Sequence, residues 1–145
     1  MTLLTVWNET DAATPVLEST DETEIREALA ELGARFSRWE IKDLDGPATP
    51  DEALSLSADE TEAGKQSEGY TLVDIVGLTP EQENYDEVKT VSREKFLSEH
   101  QHDDDEDRYF AKGAGVFYLH VGGKVYALYC ETGDLVSVPA NTTHW

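Results

Sequence analysis

Four side chains set the chemical possibilities of this sequence: His100, His102, Glu106 and His144. His100 and His102 stand at i and i+2, a spacing that projects both imidazoles from one face of an extended strand. Glu106 follows a short acidic run, Asp103-Asp-Asp105, from which it can swing back to the same point. His144 arrives from far along the chain, in Leu135-Val-Ser-Val-Pro139-Ala-Asn141-Thr-Thr-His144-Trp145, which reads as a short strand followed by a Pro/Asn turn. Three neutral imidazoles and one carboxylate suit a first-row divalent ion such as Fe, Ni, Mn or Co, and an octahedral arrangement leaves two positions for reactants. A single histidine in a strand is more often an ordinary surface or core residue than a ligand. The grouping is what points to metal. His120, in Val116-Phe-Tyr-Leu-His120-Val, has no such companion and reads as structural.

Such residues need a rigid frame, and the sequence signals one. From Phe96 onward, Gly113 and Gly115, Gly122-Gly123 and Gly133-Asp134 separate three apolar segments, the layout of an antiparallel meander with tight turns. Gly122-Gly123 suits a two-residue hairpin turn because either residue can take a positive φ. Upstream, residues 1–95 read as an α/β lead-in. Leu3–Trp7 predicts a strand, and Ser19 with Glu22 predicts a capping box before a helix whose apolar face is Ile25, Ala28, Leu29 and Leu32, stopped by Gly33. Ala34–Ile41 predicts a second strand, Thr49-Pro50-Asp51-Glu52 a helix start, and Ser55–Glu68 an exposed helix running into a mobile loop. Tyr70–Leu78 predicts a buried strand, and Thr79-Pro80-Glu-Gln82 opens a short helix toward Phe96.

The chain has 145 residues, 39% of them hydrophobic, which supports one domain with a real core. Its 31 acidic against 11 basic side chains give a net charge of −20, which disfavours nucleic acid and anionic membranes as partners. The acidity is spread along the chain and suits a protein kept soluble in high salt, where screening relieves self-repulsion. The lone Cys130 forms no internal disulfide and reads as a small apolar packing residue. Met1–Trp7 lacks the basic start and long apolar stretch of a signal peptide or membrane span, so the expectation is a cytoplasmic monomer.

The metal-type residues resemble the two motifs of the cupin superfamily, small antiparallel β-barrels that hold a metal in the mouth. The first motif, His-x-His, three or four residues, Glu, six residues, Gly, is matched by His100, His102, Glu106 and Gly113. The second, Gly, five residues, Pro-x-Gly, two residues, His, is matched by Gly133, Pro139 and His144, with Asn141 in place of the usual glycine. Asn tolerates the left-handed conformation better than other side chains. Glu94 stands where a glycine often opens the first motif.

Within cupins the whole chain resembles the acireductone dioxygenase family. The likeness is carried by Gly33-Ala-Arg-Phe-Ser-Arg-Trp39, Arg93-Glu-Lys-Phe-Leu-Ser-Glu-His100, Glu106-Asp-Arg108-Tyr-Phe110, Gly113-Ala-Gly115 and Asp134-Leu-Val-Ser-Val-Pro139. The resemblance implies a mainly β fold with N-terminal helices, a single cupin domain over 1–145 with its metal-binding β core in 96–145, and an antiparallel barrel without the family's C-terminal strands. It implies one Fe²⁺ or Ni²⁺ ion on His100, His102, Glu106 and His144, a small enediol substrate and O₂. With iron the family yields 4-methylthio-2-oxobutanoate and formate; with nickel it yields methylthiopropionate, formate and CO. Arg108, two residues beyond Glu106, can share its face and direct a permanent cation at an anionic substrate, or pair with nearby aspartates. Phe96 resembles a pocket-lining position, with a core aromatic as the other reading. The alternative function is a cupin that binds metal or a small ligand without turnover.

The charge pattern carries its own test. The thermal midpoint is expected to rise by several degrees between dilute buffer and molar KCl as screening takes effect; a midpoint indifferent to salt removes the high-salt reading.

Overall fold

The structure, a computed structural model, describes residues 1–38, 78 and 80–145. The chain divides into two compact units, Met1–Ile41 with Phe96–Trp145, and Lys42–Lys95. The first unit carries all of the strands described here. Its elements are β1 (Leu3–Asn8), β2 (Asp11–Ser19), α1 (Glu22–Ala30), β3 (Arg35–Arg38), β4 (Glu106–Tyr109), β5 (Ala114–Val121), β6 (Lys124–Glu131) and β7 (Asp134–Val138). They form two antiparallel sheets, one ordered β2-β1-β6-β5 and the other β3-β7-β4. The mainly β class with antiparallel sheets is as the sequence implied, and no closed barrel is traced among the described residues.

Alternation along the strands explains the core. Leu4 and Val6 of β1, Phe117 and Leu119 of β5, Leu128 and Cys130 of β6, and Val136 and Val138 of β7 all turn inward and are buried. Ile25 and Leu29 of α1 join the same cluster. Cys130 is fully buried, and burial pushes its thiol up to about 12, so it packs as an apolar residue.

Several expectations shift by a few residues for local reasons. The cap of α1 is Asp21, not Ser19. The Asp21 carboxylate accepts the Thr23 and Glu24 N–H groups at 2.9 and 3.0 Å, while Ser19 bonds to the Glu24 side chain instead. Gly33 does end the helix, with φ at 75° and the following Ala34 N–H returning to the Leu29 carbonyl at 3.1 Å. Strand β2 is unanticipated because Pro15 argues against a strand, yet β2 is an edge strand, where a missing N–H costs no ladder bond. Gly122 and Gly123, at φ of 61° and 75°, do turn the β5–β6 hairpin. The meander fails after that. β7 leaves the first sheet and pairs with β3 and β4 in the second.

The predicted strand over 34–41 is realised as Arg35–Arg38, with the remainder outside the described residues. The helix start at Thr49, the segment Ser55–Glu68 and all but the last residue of the strand at Tyr70–Leu78 also lie outside them. In the second unit the chain turns through residues 80–84, and helix α2 runs Tyr85–Phe96, so it starts after the proline signal. Acidic Asp86 and Glu87 in its first turn and basic Arg93 and Lys95 in its last turn complement the helix dipole. No helix among the described residues is long and apolar enough to cross a membrane.

The corner where β6 passes to β7 is pinned by Asp134, which is 2% exposed. Its carboxylate accepts the Thr2 hydroxyl at 2.6 Å, Arg38 Nε at 3.1 Å and the Glu131 N–H at 2.9 Å. Asp134→Ala is expected to lower the unfolding free energy by about 3 kcal/mol, because three donors lose a buried acceptor. Denaturant titration checks this, and a loss below about 1 kcal/mol would mean that the network is not holding the corner.

Candidate metal centre

The site begins with backbone pairing. Residues 143–145 add to the free edge of β5: Tyr118 N–H donates to the Trp145 carbonyl at 3.0 Å, Trp145 N–H returns to Tyr118 at 3.1 Å, and His120 N–H donates to Thr143 at 2.9 Å. This register sets His144 opposite Leu119, a residue on the inner face, and His144 is accordingly 2% exposed. On its other side His144 pairs with His100, N–H to carbonyl at 3.0 and 3.1 Å in the two directions. Asn141, the family-pattern departure, adopts φ of 61° and donates its N–H to the His102 carbonyl at 2.7 Å. The left-handed turn that a glycine would make is made by Asn.

The second sheet supplies the carboxylate. In β4, Glu106 lies opposite Val138 and Arg108 opposite Val136, both core residues of β7. Glu106 and Arg108 therefore share the inner face, as the i, i+2 spacing predicted.

The three imidazoles converge, with donor atoms all within 4.8 Å of one another. Each ring is oriented by the same device. His100 Nδ1 donates to the Ser98 carbonyl at 2.9 Å, His102 Nδ1 to Asp104 at 2.9 Å, and His144 Nδ1 to Thr142 at 2.7 Å. An Nδ1–H held by a carbonyl leaves Nε2 as the coordinating atom, which is how metal-binding histidines are commonly fixed. Glu106 stands at the edge of this group. Its Oε2 lies 2.8 Å from His102 Nε2 and 3.3 Å from His144 Nε2, and Arg108 Nη2 donates to its Oε1.

Charge bookkeeping shows that this set fits a cation. His144 Nε2 is buried and has no hydrogen-bond partner, although a carboxylate oxygen faces it. With Nδ1 carrying the proton for Thr142, two lone pairs meet there, and a bound cation resolves the conflict. His102 has acceptors at both nitrogens, so either a second proton or a metal ion must serve Nε2. Burial pulls the His102 pKa down, but the Asp104 carbonyl and the Glu106 carboxylate outweigh it and the net shift is upward. For Glu106, burial pushes the pKa up, while the Arg108 charge and hydrogen bonds from His102 and Arg108 prevail and hold it below the usual value.

The other acidic residues of the run have separate tasks. Asp105 accepts the Ala140 N–H at 2.8 Å, tying the loop to the turn that delivers His144. Asp103 and Asp104 are exposed, and Asp107 alternates to the other face of β4, opposite Ser137. The aromatic Phe117 went unremarked in the sequence reading. It is 3% exposed and stacks on His144 with ring centroids 5.4 Å apart. Alternation from Leu119 placed it on the inner face, so the signal was present. Arg108 lies over the Phe117 ring at 5.3 Å and the Phe96 ring at 5.9 Å, which brings the two anticipated substrate-side residues, Arg108 and Phe96, together.

Comparison with known proteins agrees with this geometry. A family model described as the ARD/ARD' family matches residues 5–145. An acireductone dioxygenase of Saccharopolyspora erythraea is 51% identical over 146 residues, covering 100% of this chain and 77% of that protein. One of Hahella chejuensis is 43% identical over 145 residues, covering 100% and 76%. Among solved structures, the acireductone dioxygenase from Bacillus anthracis with a cadmium ion in its active centre superposes with a TM-score of 0.79 at 26% identity, covering 100% of this chain and 84% of that one.

Glu106→Ala is expected to cut divalent-metal affinity at least tenfold, whereas Asp107→Ala leaves it unchanged. Metal analysis after dialysis reads both, and the reverse outcome would reassign the carboxylate.

Proposed function

The chain belongs to the ARD/ARD' family, and on that premise we propose that His100, His102, Glu106 and His144 hold its divalent metal ion, Fe²⁺ or Ni²⁺, one per chain. Family membership makes the chain a dioxygenase of methionine salvage, cleaving acireductone (1,2-dihydroxy-3-keto-5-methylthiopentene) with O₂. The observation that supports the ligand set most directly is the buried His144 Nε2 facing Glu106 Oε2 at 3.3 Å without a hydrogen bond. Three imidazoles and one carboxylate suit iron and nickel alike. When bound, the ion supplies Lewis-acid charge stabilisation for the vicinal oxygens of an enediolate.

The residues around the ligands do the rest. Three Nδ1–H to carbonyl bonds fix the direction of the imidazoles and turn Nε2 of each toward the ion. Arg108 places a permanent cation next to Glu106, where it keeps that carboxylate ionised and attracts an anionic substrate without exchanging a proton. Phe96 and Phe117 flank its guanidinium, restricting its motion and presenting an apolar wall suited to a methylthio tail. Arg108 therefore binds and orients substrate, with Phe96 lining the site. We take residues 1–145 as one cupin domain of a cytoplasmic monomer whose partners are a small enediol and O₂, with neither nucleic acid nor membrane involved.

Anaerobic mixing of acireductone with the Fe²⁺ form, followed by air, is expected to abolish the enediol absorbance and release formate with 4-methylthio-2-oxobutanoate; the Ni²⁺ form is expected to release methylthiopropionate, formate and CO instead. A stable spectrum would favour the alternative of a cupin that binds without turnover. Arg108→Ala is expected to lower kcat/KM by roughly a hundredfold with metal content retained, and an unchanged kcat/KM would remove its catalytic role.

A further inference from the structure

His120 lies outside the ligand group, and both its ring nitrogens are engaged. Nδ1 donates to Glu99 Oε1 at 2.6 Å and Nε2 to Glu9 Oε2 at 2.8 Å. These two carboxylates come from different parts of the first unit. Glu9 sits in the β1–β2 turn, itself fixed by its N–H to the Gly123 carbonyl at 3.0 Å. Glu99 immediately precedes His100. Because side chains alternate along an extended segment, His100 and His102 turn toward His144 while Glu99 and Gln101 turn the other way. Both outward residues are tied down: Gln101 to the Thr143 hydroxyl at 2.5 Å and Glu99 to His120.

We propose that His120 is a positioning residue for the metal centre: its imidazole bridges Glu9 and Glu99 and so locks the segment that presents His100. Such a lock matters because, among the described residues, the backbone between α2 and β4 is held only by the bridge at His100 and the bond from the Asn141 N–H to the His102 carbonyl. The three side chains are partly exposed, at 28% for His120, 49% for Glu9 and 48% for Glu99, and an isolated surface ion pair of that kind holds little. Here one ring joins two carboxylates on a frame already fixed by the His120 N–H to Thr143, so a single side chain restrains a loop against two strands. The hydrogen bonds that Glu9 and Glu99 accept from the ring raise the His120 pKa, which favours the imidazolium with a proton for each carboxylate. The positioning role rests on His100 being a metal ligand; the lock itself does not.

The test compares the full-length chain with His120→Ala, His120→Gln, Glu99→Ala and the His120→Ala/Glu99→Ala double variant. Backbone hydrogen exchange of the peptide spanning 98–102 and Co²⁺ affinity by chelator competition are read for each, with His100→Ala as control. His120→Ala is expected to speed exchange about tenfold and weaken Co²⁺ about tenfold with the thermal midpoint nearly unchanged. It adds nothing in the Glu99→Ala background, because both changes break one link. His120→Gln, which keeps one donor amide, falls between, and serves if the alanine variant does not fold. Unchanged exchange in both His120 variants, or full additivity with Glu99→Ala, overturns the proposal. If exchange quickens while His100→Ala keeps its Co²⁺ affinity, the lock stands and the ligand assignment of His100 is what fails.

Discussion

Two backbone hydrogen bonds between His100 and His144 hold together the parts on which the site depends. They join a segment that follows helix α2 to one that follows β7, and the second of these is itself laid along β5. Because pairing fixes register, and register fixes which face each side chain takes, these bonds decide that both imidazoles point into one cluster, with His144 buried and His100 open to solvent. A slip of one residue would turn His144 to the outer face and replace it with Thr143 or Trp145. Asp105 and Asn141 add bonds across the same junction, through the Ala140 N–H and the His102 carbonyl. The placing of the three imidazoles thus rests on main-chain pairing between distant segments.

Electrostatics is built around one carboxylate. Glu106 is surrounded by His102, His144 and Arg108 in a chain whose net charge is −20. Arg108 sets one permanent positive charge beside it. That charge gives an anionic substrate a local cation to approach even though the bulk surface repels it. Phe117 closes the site on the protein side by stacking against His144, which limits water and strengthens the interactions within.

The clustering of these residues was legible because its signal is local: His-x-His is a strand-face statement, and Glu106 and His144 occupy fixed places in family motifs. The Gly122-Gly123 hairpin and the helix ending at Gly33 were legible for the same reason, since φ preference is written in single residues. What was not legible depended on partners distant in sequence. Strand β2 hid behind Pro15, whose compatibility comes from being at an edge. The departure of β7 into the second sheet hid because its cause, the Asp134 contacts with Thr2 and Arg38, joins residues from three parts of the chain. His120 was read as structural for want of a neighbour in sequence, and its neighbours are Glu9 and Glu99.

The arrangement of the first sheet's margins bears on behaviour at high concentration. On one side, Pro15 removes a donor and the pairing of β2 with β1 shifts register on either side of Trp7, which distorts the strand. On the other, residues 143–145 already take the Tyr118–His120 stretch of β5, and in turn meet His100. Among the described residues, neither border offers the long, flat row of open amides and carbonyls that recruits a foreign strand. The same short segment that brings His144 to the imidazole cluster therefore also caps part of the sheet, so that gathering the histidines and discouraging fibre-like stacking are accomplished by one piece of chain.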